Sequence, residues 1–219
     1  MKKEISLPDE PAPAQRQRGR PRAFDREAAL EAATRLFWSK GYEATSILDL
    51  TAALGIAAPS LYAAFGSKDA LYAEALQFYG RTYKGLVWES FQAARSAREA
   101  AAAYLSNSAA GLTGAMCDVP RGCMATLAVV GSDGHDELGA LLRTNREGAF
   151  TLLMSRFEQD VRDGNLAPSV DIVRLARFLQ TVQSGMSIRA RDGADRAELQ
   201  AVADVAMMSW DAVVRRAAG

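Results

Sequence analysis

The chain has 219 residues, 49% of them hydrophobic and 24% charged, and its 26 basic side chains are matched by 26 acidic ones. That length can bury one large core or two smaller ones. The even balance excludes a bulk electrostatic affinity for nucleic acid or membrane, so any anion-binding surface has to come from local segregation. Two cysteines are too few for a disulfide framework, no apolar leader opens the chain, and no run reaches the roughly 18 apolar residues of a membrane span; a cytoplasmic protein with reduced thiols and no membrane partner is expected.

Residues 1–22 are polar and hold Pro8, Pro11, Pro13 and Pro21, which predicts a disordered arm. Within it QRQRGRPR places Arg16, Arg18, Arg20 and Arg22 with no acid among them. A helix is predicted from Asp25, with Ala29, Leu30, Ala33, Leu36 and Phe37 at helical spacing and Gly41 ending it. Ser46 followed by Asp49 resembles a capping box, and Ile47, Leu50 and Leu54 form the stripe of a two-turn helix that Gly55 closes. Pro59 suits the first turn of the next helix, and Ser67 caps a fourth that reads as one piece from Lys68 to about Phe91. Further helices are predicted over residues 97–112, 121–130, 136–162, 171–191 and 196–216, between breaks rich in Gly, Pro, Asn and Asp.

Strand signals are nearly absent, so the expected fold is all-α: an arm (1–22), a unit of short helices (23–70) and a larger unit of long ones (71–219). Three helices whose second and third meet at a glycine have the geometry of a helix-turn-helix, which is shared by DNA-binding units and by structural corners of helical bundles.

The string GYEATSILDLTAALGI followed by SLYAAFGSKDAL resembles the TetR family of transcriptional regulators. That family typically has Thr or Ser before a short helix, Gly-Val or Gly-Ile in the turn, Thr/Ser-Leu-Tyr in the recognition helix, then Phe-x-Ser/Asn-Lys-Glu/Asp-x-Leu. The resemblance covers the whole length and is most specific from Phe24 to Leu71. It implies an N-terminal three-helix helix-turn-helix DNA-binding unit followed by a helical effector-binding and dimerisation domain. Carried over by position, it makes Ser46 a cap and phosphate contact, sets Leu48, Ala58, Pro59, Ser60, Tyr62 and Ala63 at the DNA, and makes Lys68 a phosphate contact. A tyrosine hydroxyl, a lysine ammonium and helix N-terminal N–H groups all suit phosphate oxygens. Other readings stand beside these: Tyr62 as a core aromatic and Lys68 as a solvated helix-end lysine.

The chain also departs from the family pattern. Ala57 stands where a capping serine is common, Leu48 where an arginine is common, and Ala63 with Ala64 where histidine or tyrosine often sits. Base readout is therefore expected to be short or apolar, for instance against thymine methyls, with Ser60 the one short hydrogen-bonding reader. Arg18, Arg20 and Arg22 of the arm suit a minor groove or phosphates, or else a solubilising tail.

The family dimerises through its last two helices, here residues 171–191 and 196–216. The candidate stripes are Ile172, Leu175, Phe178, Leu179, Val182 and Met186, then Leu199, Val202, Val205, Ala206, Ser209 and Val213, with Gly185 and Ala203 small enough for close packing. A homodimer would set two recognition helices against the half-sites of a pseudo-palindromic operator.

Residues 117–130, CDVPRGCMATLAVV, resemble the Pro-Arg-Gly-Cys segment of a subset of the family, some of which respond to electrophiles, oxidants or copper. This makes Cys117, Cys123 and Met124 candidate effector residues, with Cys123 expected in the first turn of a helix beside Arg121. The alternative is that both cysteines are small core residues. A small-molecule cavity is expected among Trp88, Met116, Met124, Phe150, Met154, Phe157 and Phe178; the alternative is that this Met and aromatic set is plain core.

The sequence has no phosphate loop, nucleophile elbow or paired metal motif, and its one histidine, His135, falls among Gly131, Asp133 and Gly134, as in a surface loop. No enzyme activity, cofactor or metal is expected. The resemblance implies a DNA-binding repressor released by a small-molecule, electrophile or oxidant, or metal effector.

Overall fold

The computed structural model describes residues 24–83, 85–128 and 135–218; among them there are ten helices and no strand. Arg18, Arg20 and Arg22 lie outside the described residues. No single described helix is long and apolar enough to cross a membrane.

The helix α1 (Arg26–Lys40) starts where the Asp25 carboxylate accepts from the N–H groups of Glu27 and Ala28, each at 3.1 Å. Ser46 and Asp49 form a reciprocal capping box at the head of α2 (Ile47–Leu54). Gly55, at φ 66° and ψ 30°, closes α2 in the left-handed conformation, and Pro59 lies in the first turn of α3 (Ala58–Phe65). α4 (Lys68–Tyr83) follows, with the Ser67 hydroxyl accepting from Ala70 N at 3.0 Å.

These helices share one core, built on Leu30, Phe37, Trp38, Leu50, Leu61 and Leu71. Each side chain of this kind contributes roughly 1.5–3 kcal/mol by leaving water. The buried face of α4, including Leu71, Ala75 and Leu76, completes this core, so the expected division at residue 70 falls within a helix that packs with the first unit. Met124, Leu138 and Leu142 from later in the chain join it.

The larger body contains α5 (Gly85–Ala93), α6 (Ala97–Leu112), α7 (Met124–Leu127), α8 (Asp136–Arg162), α9 (Ile172–Arg191) and α10 (Arg196–Ala218). Tyr104, Leu105, Leu153, Phe157, Leu179 and Trp210 anchor its core. Asp160 is 2% exposed there; its carboxylate accepts from Ala97 N at the head of α6 and pairs with Arg156 at 2.9 Å.

The run expected as one helix from 68 to 91 is helical in its described residues, as α4 and α5 on either side of Lys84, which lies outside the described residues. One helix prediction is corrected. The helix expected over 121–130 shrinks to the single turn of α7, because Gly122 takes φ 80° and Cys123 is extended, conformations a helix cannot absorb. Val129 and Val130 lie outside the described residues.

The stripes expected for dimerisation also divide. Leu175, Leu179, Met186, Leu199, Ala203 and Ala206 are buried in the chain's own core, whereas Val202, Val205 and Val213 are exposed. Successive side chains turn by about 100° around a helix. Leu199, Ala203, Ala206 and Trp210 of α10 therefore fall on one face, Val205 and Met208 on another, and Val202 and Val213 along the border between the two. α9 likewise exposes Val173 and Ile188.

Candidate nucleic-acid interface and effector cavity

α2 and α3 meet at 90°, the angle at which one helix can enter a groove while its partner crosses the backbone. Leu50 and Leu61 are fully buried and Phe65 nearly so, which turns the other faces of α2 and α3 outward. Leu48 is 79% exposed and Tyr62 46% exposed. Pro59, Ser60 and Ala63 share that open surface, and Ala58 is half-buried at its edge. Tyr62 is thus a surface aromatic and not a core one.

The head of α3 is open. Ala57 supplies no side-chain cap, and Pro59 has no N–H to satisfy. The positive end of the helix dipole therefore faces outward without a side-chain oxygen upon it.

Ser46 is more committed than its sequence position suggests. Its hydroxyl accepts from Asp49 N at 3.0 Å and donates to Asp49 Oδ2 at 2.8 Å, while its own N–H donates to the same oxygen at 2.9 Å. Lys40 pairs with Asp49 at 2.8 Å, and the Lys40 and Ser46 bonds hold this carboxyl well below the usual carboxylate range.

Lys68 lies with its ammonium 4.1 Å from the centre of the Tyr42 ring, a cation–π seat at the head of α4. The Tyr42 hydroxyl donates to Asp69 Oδ1, and His135 Nδ1 lies 3.1 Å from Asp69 Oδ2. The expectation that His135 is a surface-loop residue is corrected: its side chain is only 27% exposed and packs edge-on against Tyr42. Tyr42 holds the Asp69 carboxyl below its ordinary value, with His135 adding to the effect. Burial, reinforced by the bond to Asp69, pushes the Tyr42 phenol far up. This cluster joins the end of α1 and the head of α4 to the head of α8.

A second tie escapes sequence reasoning. Arg26 pairs with both oxygens of Glu74 at 2.7 and 2.8 Å, reaches Ala64 O at 3.3 Å, and covers the Phe65 ring, so α1 and α4 grip the end of α3.

A cavity of about 620 Å³ opens among α4 to α9. Its walls include Tyr79, Tyr83, Trp88, Tyr104, Cys123 and Arg146. Cys123 is half-buried, and its Sγ accepts from the Tyr79 hydroxyl at 3.3 Å. Burial pushes the Tyr79 phenol well up, so it stays a donor at neutral pH.

Of the residues expected to line a cavity, Trp88 does so. Phe157 is fully buried core, Phe150, Met154 and Phe178 pack against that core, and Met116 is 44% exposed. The cavity owes its aromatic character to tyrosines on α4 and α6. Met124 turns away, into the core shared by α1 and α4 and toward a smaller cavity of about 210 Å³. Cys117 is half-buried and is not among the lining of either cavity. Arg121 donates to Ala194 O at 3.3 Å, and Cys123 stands at the N-cap of a helix of only four residues and not in its first turn.

Residues 29–75, from α1 into α4, match the family model described as bacterial regulatory proteins, tetR family. The chain is 35% identical over 201 residues to the HTH-type transcriptional repressor ComR of Escherichia coli K12, covering 90% of this chain and 94% of ComR. It is 32% identical over 189 residues to the repressor BdcR of the same organism, covering 86% and 90%. Among solved structures it is similar to a cysteine-substituted form of the TetR family regulator CifR complexed with 26-base-pair operator DNA. The identity there is 39% and the TM-score 0.81, over 87% of this chain and 98% of that one. The chain belongs to the TetR family of transcriptional regulators.

Proposed function

We propose that this protein is a homodimeric transcriptional repressor that sets α3 into the major groove of a pseudo-palindromic operator and is released when an effector occupies the 620 Å³ cavity. The observation that carries the reading is the right-angled α2–α3 pair, buried through Leu50, Leu61 and Phe65 and open through Leu48, Ser60, Tyr62 and Ala63. Residues 23–70 dock the DNA and 71–219 bind effector and partner copy. Tyr62 and the open head of α3 meet phosphates, with Lys68 joining them from its seat on Tyr42; Ser60, Leu48 and Ala63 meet base edges. Arg18, Arg20 and Arg22 supplement them from the arm.

The partner copy covers the outer face of α10 and α9, where Val173, Ile188, Val202, Val205, Met208 and Val213 are exposed. An apolar surface of that extent on two adjacent helices favours association over exposure to water. The operator complex of CifR and the repressor names of ComR and BdcR support the same reading.

Cys123 is the sensor within the cavity. Its sulfur is on the wall, beside a permanent donor, within reach of an electrophile, an oxidant or a soft metal ion. If Cys123→Ser keeps full release by every thiol reagent, oxidant and copper salt that acts on the native protein, the sensor role fails. The DNA reading is tested by titrating the protein onto the DNA upstream of its own gene at physiological salt. Binding about 10³-fold tighter than to scrambled DNA is expected, and equal binding to both sinks the proposal.

A further inference from the structure

Arg191, the last residue of α9, holds three main-chain carbonyls at once. Its Nε donates to Arg121 O at 3.0 Å, its Nη1 to Ser39 O at 2.8 Å and its Nη2 to Trp38 O at 2.6 Å. Trp38 and Ser39 belong to the last turn of α1, where carbonyls lack partners within the helix and the dipole is negative. A fork of fixed N–H donors suits several acceptors in one plane in a way that an ammonium does not.

The segment 118–123 is drawn into the same knot. The Trp38 indole donates to Gly122 O at 2.8 Å, Arg35 donates to Asp118 O at 2.6 Å, and Cys123 N donates to Ser187 Oγ on α9 at 2.8 Å. Elsewhere the α1–α4 unit meets the larger body through α4 and through the Tyr42–Asp69–His135 cluster at the head of α8. One helix acts as a pivot, but a second anchor at the end of α1 fixes the angle. That anchor comes from α9, a helix that also exposes Val173 and Ile188 on the outer apolar face.

We infer that Arg191 is a specificity-determining positioning residue: by latching α1 to α9 it fixes the separation of the two DNA units in a dimer, and with it the half-site spacing the protein accepts. The inference rests on the homodimeric DNA-binding reading above. Each base pair added between half-sites moves one of them by about 3.4 Å and turns it by roughly 35°. A unit that pivots freely follows such a change, whereas a latched one does not.

The test first locates the operator by footprinting the DNA upstream of the protein's own gene, then uses it and copies with one base pair inserted or removed at its centre. The native protein is expected to lose affinity about tenfold or more for either change, the order of a coupling between two sites. Arg191→Gln is expected to flatten that loss to roughly threefold or less while sedimentation still reports a dimer, with Arg191→Lys in between. A purely structural arginine would lower the melting temperature and weaken all spacings by one common factor; that result overturns the inference. So does a native protein that binds its operator tightly yet ignores spacing.

Where Arg191→Gln does not fold, Arg191→Lys carries the test, since it keeps the cation but not the planar fork that reaches three carbonyls. It is expected to flatten the same profile in part, and unchanged discrimination overturns the latch. A native protein that does not prefer the operator to scrambled DNA overturns the DNA-binding reading itself.

Discussion

Replacing Gly122 by alanine tests whether the segment ahead of Cys123 is as closely fitted as the distances indicate. Two penalties combine there. At φ 80° an L side chain is strained, which costs about 1–2 kcal/mol. The added Cβ would also lie 2.4 Å from Leu127 Cδ1 and 2.9 Å from Ser187 O. The leucine methyl can swing aside, but the Ser187 carbonyl is the backbone of α9 and cannot; overpacking of this kind costs a further 1–3 kcal/mol or so. The expected loss is then about 2–5 kcal/mol, or roughly 4–20 °C in melting temperature for a chain of this size. Gly55→Ala is the internal control, since its φ of 66° carries the same strain but no atom lies within 4 Å of the added carbon. It should lose only about 1–2 kcal/mol. Urea and thermal unfolding of the two variants side by side measure the difference. Equal losses, or a smaller loss for Gly122→Ala, would show that Ser187 and Leu127 do not confine the segment and would refute the reasoning.

Asp160→Ala should destabilise the larger body by about 3–5 kcal/mol, because it leaves the buried end of Arg156 and the Ala97 N–H without their acceptor; a urea midpoint close to the native one would contradict this. Asp69→Asn probes pH. The native carboxyl is held below its ordinary value, so its stabilisation is fully present above about pH 5 and is lost as pH falls through the lowered folded-state value. The gap in urea midpoint between native protein and variant should therefore narrow toward pH 3, and a gap that stays constant from pH 7 to 3 would be inconsistent with it. Val205→Asp combined with Met208→Asp puts two charges on the outer face of α10 and should yield monomers in sedimentation, whereas an intact dimer would locate the seam elsewhere.

Helix positions were legible because they depend on neighbours in sequence. The Asp25 and Ser46 caps, the Gly55 turn and the Pro59 start are local chemistry, and each is found where its residues stand. The short α7 was illegible because its extent depends on Gly122 fitting beneath Ser187 of α9, a neighbour 65 positions away. The faces of α10 were half legible. Apolar spacing identified Val202, Val205 and Val213 together with Leu199 and Ala206, but spacing alone does not say which of two apolar faces meets the chain's own core. The polar clusters were least legible. Tyr42, Asp69 and His135, or Arg191 with Trp38, are brought together only by the packing of α1 against α4, α8 and α9, and no motif in the sequence carries that information.

The short side chains of α3 give these ties their importance. A recognition helix with arginines or glutamines can adjust its reach to a groove, because a long side chain absorbs an ångström or two of misplacement. Ser60 and Ala63 have no such reach, and Leu48 could offer only apolar contact, so the proposed DNA docking would require the backbone of α3 itself to arrive at the correct depth and angle. Rigid mounting supplies that. Arg26 holds the end of α3 through Ala64 O and Glu74, Lys40 holds the head of α2 through Asp49, and Arg191 holds the end of α1. Each tie anchors a helix terminus, where a small shift is magnified at the far end. On the proposed function, an alanine-rich reader is a docking surface whose selectivity comes from how exactly it is held, and an effector would need to move only one of its anchors to release it.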